Sequence, residues 1–289
     1  MLTFTDIFCG AGGSALGLAA AGFKLKLAAN HWARAIETHS ANFRDAEHLC
    51  ADVNNYDMRR LPTTDVLWAS PICTEGSPAG GRKVRARRAP GQGDLLEAFG
   101  PVAQAGMERT RATFHDVIRA TEVHRYTAVL VENVPDVVER WELFDWWVEG
   151  MLRLGYQVQT LSVSSAHIGG EGNPYAPQWR DRFYLVFTRT GVPLPDVQPR
   201  PLAWCRRCEA DVRALQAWKI SGGRFRAGRY RRQYDYRCPA SGCGSVVEPY
   251  VLPASTAIDW SNLGGRIGDR STPLSANTLR RIEAGEDGG

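Results

Sequence analysis

The chain has no apolar run long enough to cross a bilayer, since its nearest approach, Leu16 to Phe23, is short and broken by glycine. Its opening residues, Met1-Leu2-Thr3-Phe4-Thr5-Asp6, lack the basic start of a secretory signal. Together these absences set the expectation of a soluble protein in the cytoplasm. A strong charge of one sign is also missing: 35 Lys and Arg stand against 31 Asp and Glu, and a net charge of +4 singles out no partner. No internal repeat is visible.

What is present is enough for one large domain and a smaller one. The 289 residues are 44% hydrophobic, which supports a packed core. Seven cysteines without a secretory signal favour reduced thiols, used for metal binding or catalysis rather than for disulfides. Charge is unevenly distributed. Residues 203 to 237 hold ten basic side chains and three acidic ones, so this segment carries +7 and would draw a polyanion to one end of the molecule.

Short apolar runs alternate with amphipathic ones, at Thr3 to Phe8, Ser14 to Ala21, Leu25 to Ala29 and Trp32 to Asn42. The pattern predicts strand, helix, strand, helix. It continues with a strand at Val66 to Ala69, a helix across Val102 to Val123 and a strand at Ala128 to Val131. A helix with a stripe of Trp141, Phe144, Val148, Met151 and Leu152 follows, then strands near Tyr156 to Val163 and Arg182 to Phe187. The fold class is therefore α/β, a doubly wound sheet whose ligands lie outside the carboxyl ends of its strands. Gly76 to Gly100, rich in Gly, Pro and Arg, reads as a mobile active-site loop. Four prolines between Pro193 and Pro201 mark a boundary. The expected division is 1–192, 193–270 and 271–289.

Phe8-Cys9-Gly10-Ala11-Gly12 follows a strand and opens a helix, so the backbone can approach a ligand while helix N–H groups face an anionic carboxylate. The same glycines fit a dinucleotide fingerprint, but the acid expected about 20 residues later is absent, since that region reads Ala29-Asn30-His31-Trp32. Further on, Cys205-Arg206-Arg207-Cys208 and Cys238-Pro239-Ala240-Ser241-Gly242-Cys243 form two close thiol pairs. That spacing predicts a structural four-thiolate zinc ribbon, with no ligand position left open for catalysis. Between the pairs, Arg224 to Tyr234 alternates basic and aromatic residues, as a hairpin would when presenting Arg229, Arg231 and Arg232 to a nucleic-acid groove.

Taken in order, Asp6-Ile7-Phe8-Cys9-Gly10-Ala11-Gly12-Gly13, Ser70-Pro71-Ile72-Cys73-Thr74, Glu132-Asn133-Val134 and Gln178-Trp179-Arg180-Asp181-Arg182 resemble the motifs of the cytosine-C5 DNA methyltransferases. The resemblance implies a Rossmann-like methyltransferase sheet that binds S-adenosylmethionine through Phe8, Gly10 and Gly12. It also implies Trp32 stacking on adenine, His31 standing where the family has a ribose-binding Glu, and Asp52 accepting from the adenine amino group. Cys73 would add to C6 of cytosine, so that C5 attacks the sulfonium methyl and loss of the C5 proton expels the thiolate. Glu132 would act at N3, a task for a carboxyl whose pKa burial raises. Asn133 would hold the loop, Arg180 and Arg182 would offset charge building on the ring, and Gln178 would position. C5 is out of reach in stacked duplex DNA, so the base must be flipped out, with Arg82, Lys83 and Arg85 of the loop meeting phosphates.

Two departures stand out. The family loop reads Pro-Pro-Cys-Gln where this chain has Pro71-Ile72-Cys73-Thr74, and His31 replaces a Glu. The implied activity is C5 methylation of cytosine in double-stranded DNA, in a bacterial or phage modification system of the restriction-modification kind. Two rivals remain, a non-catalytic DNA-binding protein on a degenerate methyltransferase fold and an RNA cytosine-C5 methyltransferase. The zinc ribbon occupies the place of the family's target-recognition domain. Ser271 to Gly285 resembles the segment that returns the family chain from it, which sets the expectation that a second polypeptide or a continuation supplies the motifs that normally follow.

Overall fold

The computed structural model describes residues 1–72, 112–169, 175–219, 224–266, 269, 271 and 273–286. Residues Met1–Leu252 form one compact unit and Pro253–Gly289 another. In the larger unit β1 (Thr3–Ile7), α1 (Gly13–Ala20), β2 (Lys24–Asn30), α2 (Ala33–Asn42) and β3 (Glu47–Cys50) alternate as the periodicity predicts, β3 being an addition to it. β4 (Val66–Ala69), a helix α3 over 112–124, β5 (Ala128–Asn133), α4 (Asp136–Arg140), α5 (Phe144–Arg153), β6 (Tyr156–Ser164) and β7 (Asp181–Arg189) follow. The helix expected from Trp141 starts at Phe144 as α5, and the short α4 before it, ending where the backbone at Trp141 turns extended, is an addition to the expected pattern. Of the helix expected across Val102 to Val123, residues before 112 lie outside the described part.

Seven strands form one sheet in the order β3-β2-β1-β4-β5-β7-β6. β1 to β5 are parallel, while β7 runs antiparallel to both β5 and β6. Four of the five residues of β1 are buried, the near-continuous burial of a parallel strand covered on both faces. Chain order reverses between β1 and β4, where Ile7 is paired with Ala69. Ligands of such sheets collect at this switch point.

Residues after β7 build β8 (Leu202–Cys205), β9 (Ala210–Arg213), β10 (Leu215–Trp218), β11 (Tyr234–Arg237) and β12 (Val246–Val247). β8 and β9 form a hairpin, and β10-β11-β12 a separate three-stranded sheet. Tyr230, Tyr234 and Tyr236 are buried in the core of this insert with Cys205 and Cys238. The tyrosines of the basic segment are thus core residues, while its arginines lie nearer the surface. Phe225 goes further and packs into the core of the main sheet, edge-on to Phe144 at 5.4 Å. The smaller unit contains α6 (Ala276–Glu286). Among the described residues no helix is long and apolar enough to cross a membrane.

Trp147 on α5 anchors the main core. It is fully buried, lies edge-on to Phe114 and Phe187, and donates its indole N–H to the Phe114 carbonyl at 2.7 Å. Trp147→Ala removes that volume and the indole hydrogen bond, so unfolding in denaturant is expected to show a loss of about 3–5 kcal/mol.

Candidate functional site

The carboxyl ends of five parallel strands line one edge of the sheet and carry the residues singled out from the sequence. After β1 the chain must turn sharply into α1. Phe8 accepts a left-handed φ of 64°, rare for an aromatic residue, and Gly10 and Gly12 follow at 55° and 106°. A side chain at Gly12 would meet Phe43 at 3.0 Å and His39 at 3.2 Å, so glycine is needed for space as well as for φ. Cys9 donates its N–H to Ala29 of β2 at 3.1 Å, tying this turn to the next strand end.

At the end of β2, Asn30 accepts the Trp32 N–H through its side chain at 2.9 Å, which leaves the indole 62% exposed beside the exposed His31. Ala51 donates to the Asn30 carbonyl, placing Asp52 next along the edge. The Asp52 carboxylate already accepts from Asn54 N at 3.1 Å and from the Asn55 side chain at 3.3 Å. Two oxygens offer about four acceptor directions, so it retains capacity for an amino group.

Beneath this edge lies a group the sequence reading missed. Asp6 is fully buried, accepts from Ser14 Oγ at 2.5 Å through one oxygen, and has no hydrogen-bond partner among the described residues on the other. Burial pushes its carboxyl up to about 7, against the lowering effect of the Ser14 bond. Burial, and then the Asp6 charge, push the Cys9 thiol up to about 12, which makes Cys9 a packing residue rather than a nucleophile.

The second half of the site joins β4, β5 and β7. Asn133 donates its side-chain N–H to the Pro71 carbonyl at 3.0 Å and accepts the Val134 N–H at 2.8 Å, so it pins the loop that leads to position 73. Ile72 donates its backbone N–H to Thr113 Oγ1 at 3.0 Å. A proline at 72 would have no such donor, so the departure from the family loop is compensated by a bond to α3. Glu132 and Arg182 form an ion pair at 2.6 Å, with 20% and 16% of their side chains exposed. Arg180 and Gln178 are exposed, and Arg180 accepts the Ser165 N–H at its carbonyl. Cys73, Thr74, Arg82, Lys83, Arg85 and the Gly76 to Gly100 loop lie outside the described residues.

The insert contributes two features. The Sγ atoms of Cys205, Cys208, Cys238 and Cys243 all lie within 4.8 Å of one another, with Cys205 to Cys243 at 3.6 Å and Cys208 to Cys238 at 3.8 Å. Four sulfurs held tetrahedrally about 2.3 Å from one ion would be separated by about 3.8 Å, so the donor set fits zinc. Left-handed backbone at Glu209, Gly242 and Gly244 makes the tight turns that bring each pair round. The three arginines expected to face a groove are in different settings. Arg229 is partly buried and paired with Asp136, Arg231 pairs with Glu248 at 2.8 Å and lies over Trp179 and Tyr230, and Arg232 is exposed. Arg229 is therefore turned toward α4, which carries Asp136. Asp136 and Asp181, which grip this part of the insert, were not singled out, because their partners are distant in sequence.

Residues 2–202 match the family model described as C-5 cytosine-specific DNA methylase. The chain is 25% identical over 185 residues to the type II methyltransferase M.MspI of Moraxella sp., a match covering 63% of this chain and 38% of that one. It is 26% identical over 191 residues to the type II methyltransferase M.NlaX of Neisseria lactamica, covering 64% and 52%. The matches thus span about two fifths to half of the length of these relatives. A solved structure of a mutant Spodoptera frugiperda DNMT2 covers 68% of this chain and 53% of that one, at 15% identity and a TM-score of 0.49.

Two expectations follow from the geometry. Purified protein should contain about one zinc per chain by metal analysis, and Cys238→Ser together with Cys243→Ser should lose it; metal-free protein with an intact insert would contradict the assignment. A folded-state pKa raised to about 7 at Asp6 means that the native state holds a proton the unfolded chain releases near pH 4. The stability this group contributes is present below about pH 4 and is lost as pH rises through 7. Asp6→Asn should flatten that part of the pH dependence, measured by denaturant unfolding at pH 5 and pH 8.

Proposed function

The chain belongs to the C-5 cytosine-specific DNA methylase family, and from that membership we propose that it transfers a methyl group from S-adenosylmethionine to C5 of cytosine in duplex DNA. The observation that carries this reading is the Glu132–Arg182 ion pair, held at 2.6 Å beside the loop that Asn133 pins just before Cys73. Cofactor binding is assigned to the edge formed by Phe8, Gly10, Gly12, His31, Trp32 and Asp52. The exposed indole of Trp32 is suited to stacking on adenine, and the bound cofactor supplies an electrophilic methyl group.

Each proposed step rests on a residue of this chain. The Cys73 thiolate adds to C6 of a flipped cytosine and the ring electrons shift toward N3, where Glu132 supplies a hydrogen bond or a proton. Arg182, already fixed to Glu132, holds that carboxylate in place and offsets charge on the base, with Arg180 beside it. C5, now enamine-like, takes the methyl group; its proton leaves, and the C6–S bond breaks to regenerate the thiolate. Arg82, Lys83 and Arg85 are assigned to DNA phosphates, and among the insert arginines Arg231 and Arg232 are better placed for this than Arg229.

The insert is read as a zinc-bearing target-recognition element within 193–270, following a catalytic part at 1–192 and preceding a return segment at 271–289. Leu16 on α1 is 65% exposed, which favours the further reading that another segment or a second polypeptide covers this helix.

A duplex carrying 5-fluorocytosine at the target should trap a covalent complex, because fluorine cannot leave as a proton does. Cys73→Ser should abolish it, and an adduct that persists in this variant assigns the chemistry elsewhere. Trp32→Ala should raise the KM for S-adenosylmethionine by about tenfold, on the order of 1.4 kcal/mol of lost stacking, with a smaller effect on kcat.

A further inference from the structure

Beyond the Phe225 ring and the Gln216 side chain, which donates to the Ser162 carbonyl at 2.7 Å, the insert meets the main sheet along a short strap, residues 226 to 230. Ser162 of β6, buried, donates its hydroxyl to the Arg226 carbonyl at 3.2 Å and accepts the Gly228 N–H at 3.1 Å. A Cβ at Gly228 would lie 2.5 Å from that of Gln233 and 3.0 Å from Trp218, so this close approach requires glycine. The next two residues reach the chain segments that carry the candidate catalytic pair. The Arg229 guanidinium pairs with Asp136, and the Tyr230 N–H donates to Asp181 Oδ1 at 3.1 Å.

Those two carboxylates are placed in a telling way. Asp136 is the first residue of α4, four positions after Glu132, and Asp181 immediately precedes Arg182. Each of the two chain segments that supply the Glu132–Arg182 pair therefore also supplies one carboxylate, and the two hold consecutive residues of the insert. Asp136 is only 6% exposed and bridges two cations, Arg229 and Arg140, the latter at 3.2 Å. A buried carboxylate is held firmly only while its partners are in place. By contrast, the ion pair of Arg224, just before the strap, with Glu149 at 3.4 Å is exposed and lands on α5, on neither of those two segments.

We propose that Asp136 and Asp181 are positioning residues that clamp Arg229 and Tyr230, so that the seating of the insert sets the geometry of the Glu132–Arg182 pair. The kinetic consequence, though not the clamp itself, rests on the methyltransferase reading. Recognition of a target by the insert and readiness of the catalytic carboxylate then become one event.

The test uses the full zinc-loaded chain and compares wild type with Arg229→Gln, Asp136→Asn and, as a control, Arg224→Ala. Hydrogen–deuterium exchange is read in peptides spanning 130–140 and 180–185. The first two variants should exchange at least about threefold faster there while keeping zinc, and the control should match wild type. In methylation assays Arg229→Gln should lower kcat by about tenfold with the KM for duplex DNA within about twofold, and Arg229→Lys should restore part of the loss. If Arg229→Gln loses zinc, Arg229→Lys replaces it, with the same exchange pattern at smaller amplitude. Wild-type exchange in these peptides overturns the clamp, whatever the activity. A wild-type chain that methylates no cytosine, yet shows the exchange pattern, sinks the functional reading and leaves the clamp standing.

Discussion

Glu132 and Arg182 meet because β7 runs antiparallel to β5 in the register that pairs Asn133 with Phe183 and Glu132 with Tyr184. In a wholly parallel sheet the start of one strand would lie beside the start of its neighbour, at the edge away from the ligands. Reversal brings the N-terminal end of β7, with Asp181 and Arg182, to the carboxyl edge where β1, β4 and β5 end. The Glu132–Arg182 ion pair, the clamp on the insert and the environment of Tyr184, whose hydroxyl burial and the neighbouring Glu132 push up to about 12, all follow from that reversal.

The site is held by polar contacts that each use up one particular atom. Asn133 spends its N–H₂ on Pro71 and its carbonyl on Val134. Thr113 takes the Ile72 N–H, so that both residues before position 73 are fixed from different elements. The glycine-rich turn is held from below by Ser14 on Asp6, a neutral-to-ionised carboxyl whose charge would be costly in that setting. Such contacts fix geometry more than they add stability, because each replaces a bond that water could supply.

The insert combines a small core with four clustered thiols. Three buried tyrosines and two buried cysteines form most of its interior, and its strands are short. A core of this size has little stability of its own, so four thiolates around one ion would close it. Docking against the main sheet adds to this through Phe225, whose ring is buried in the larger core.

Much of the fold was legible in the chain itself. Apolar alternation located β1, β2, β4 to β7 and the helices between them, because burial on a sheet or helix face leaves a period in the sequence. The glycines at 10 and 12 and the four cysteines were equally readable, since φ above zero and tetrahedral thiolate geometry each demand particular residues at particular spacings. Tertiary structure alone decided what Arg229 does, why Gly228 is glycine, and that Asp6, Asp136 and Asp181 matter. Their partners are Asp136, Gln233, Ser14, Arg229 and Tyr230, and most of them arrive from far along the chain or depend on burial that no local pattern encodes. A charge run reads the same in sequence whether it faces solvent, nucleic acid or a buried carboxylate; only packing tells them apart, because only packing determines which charges keep their water.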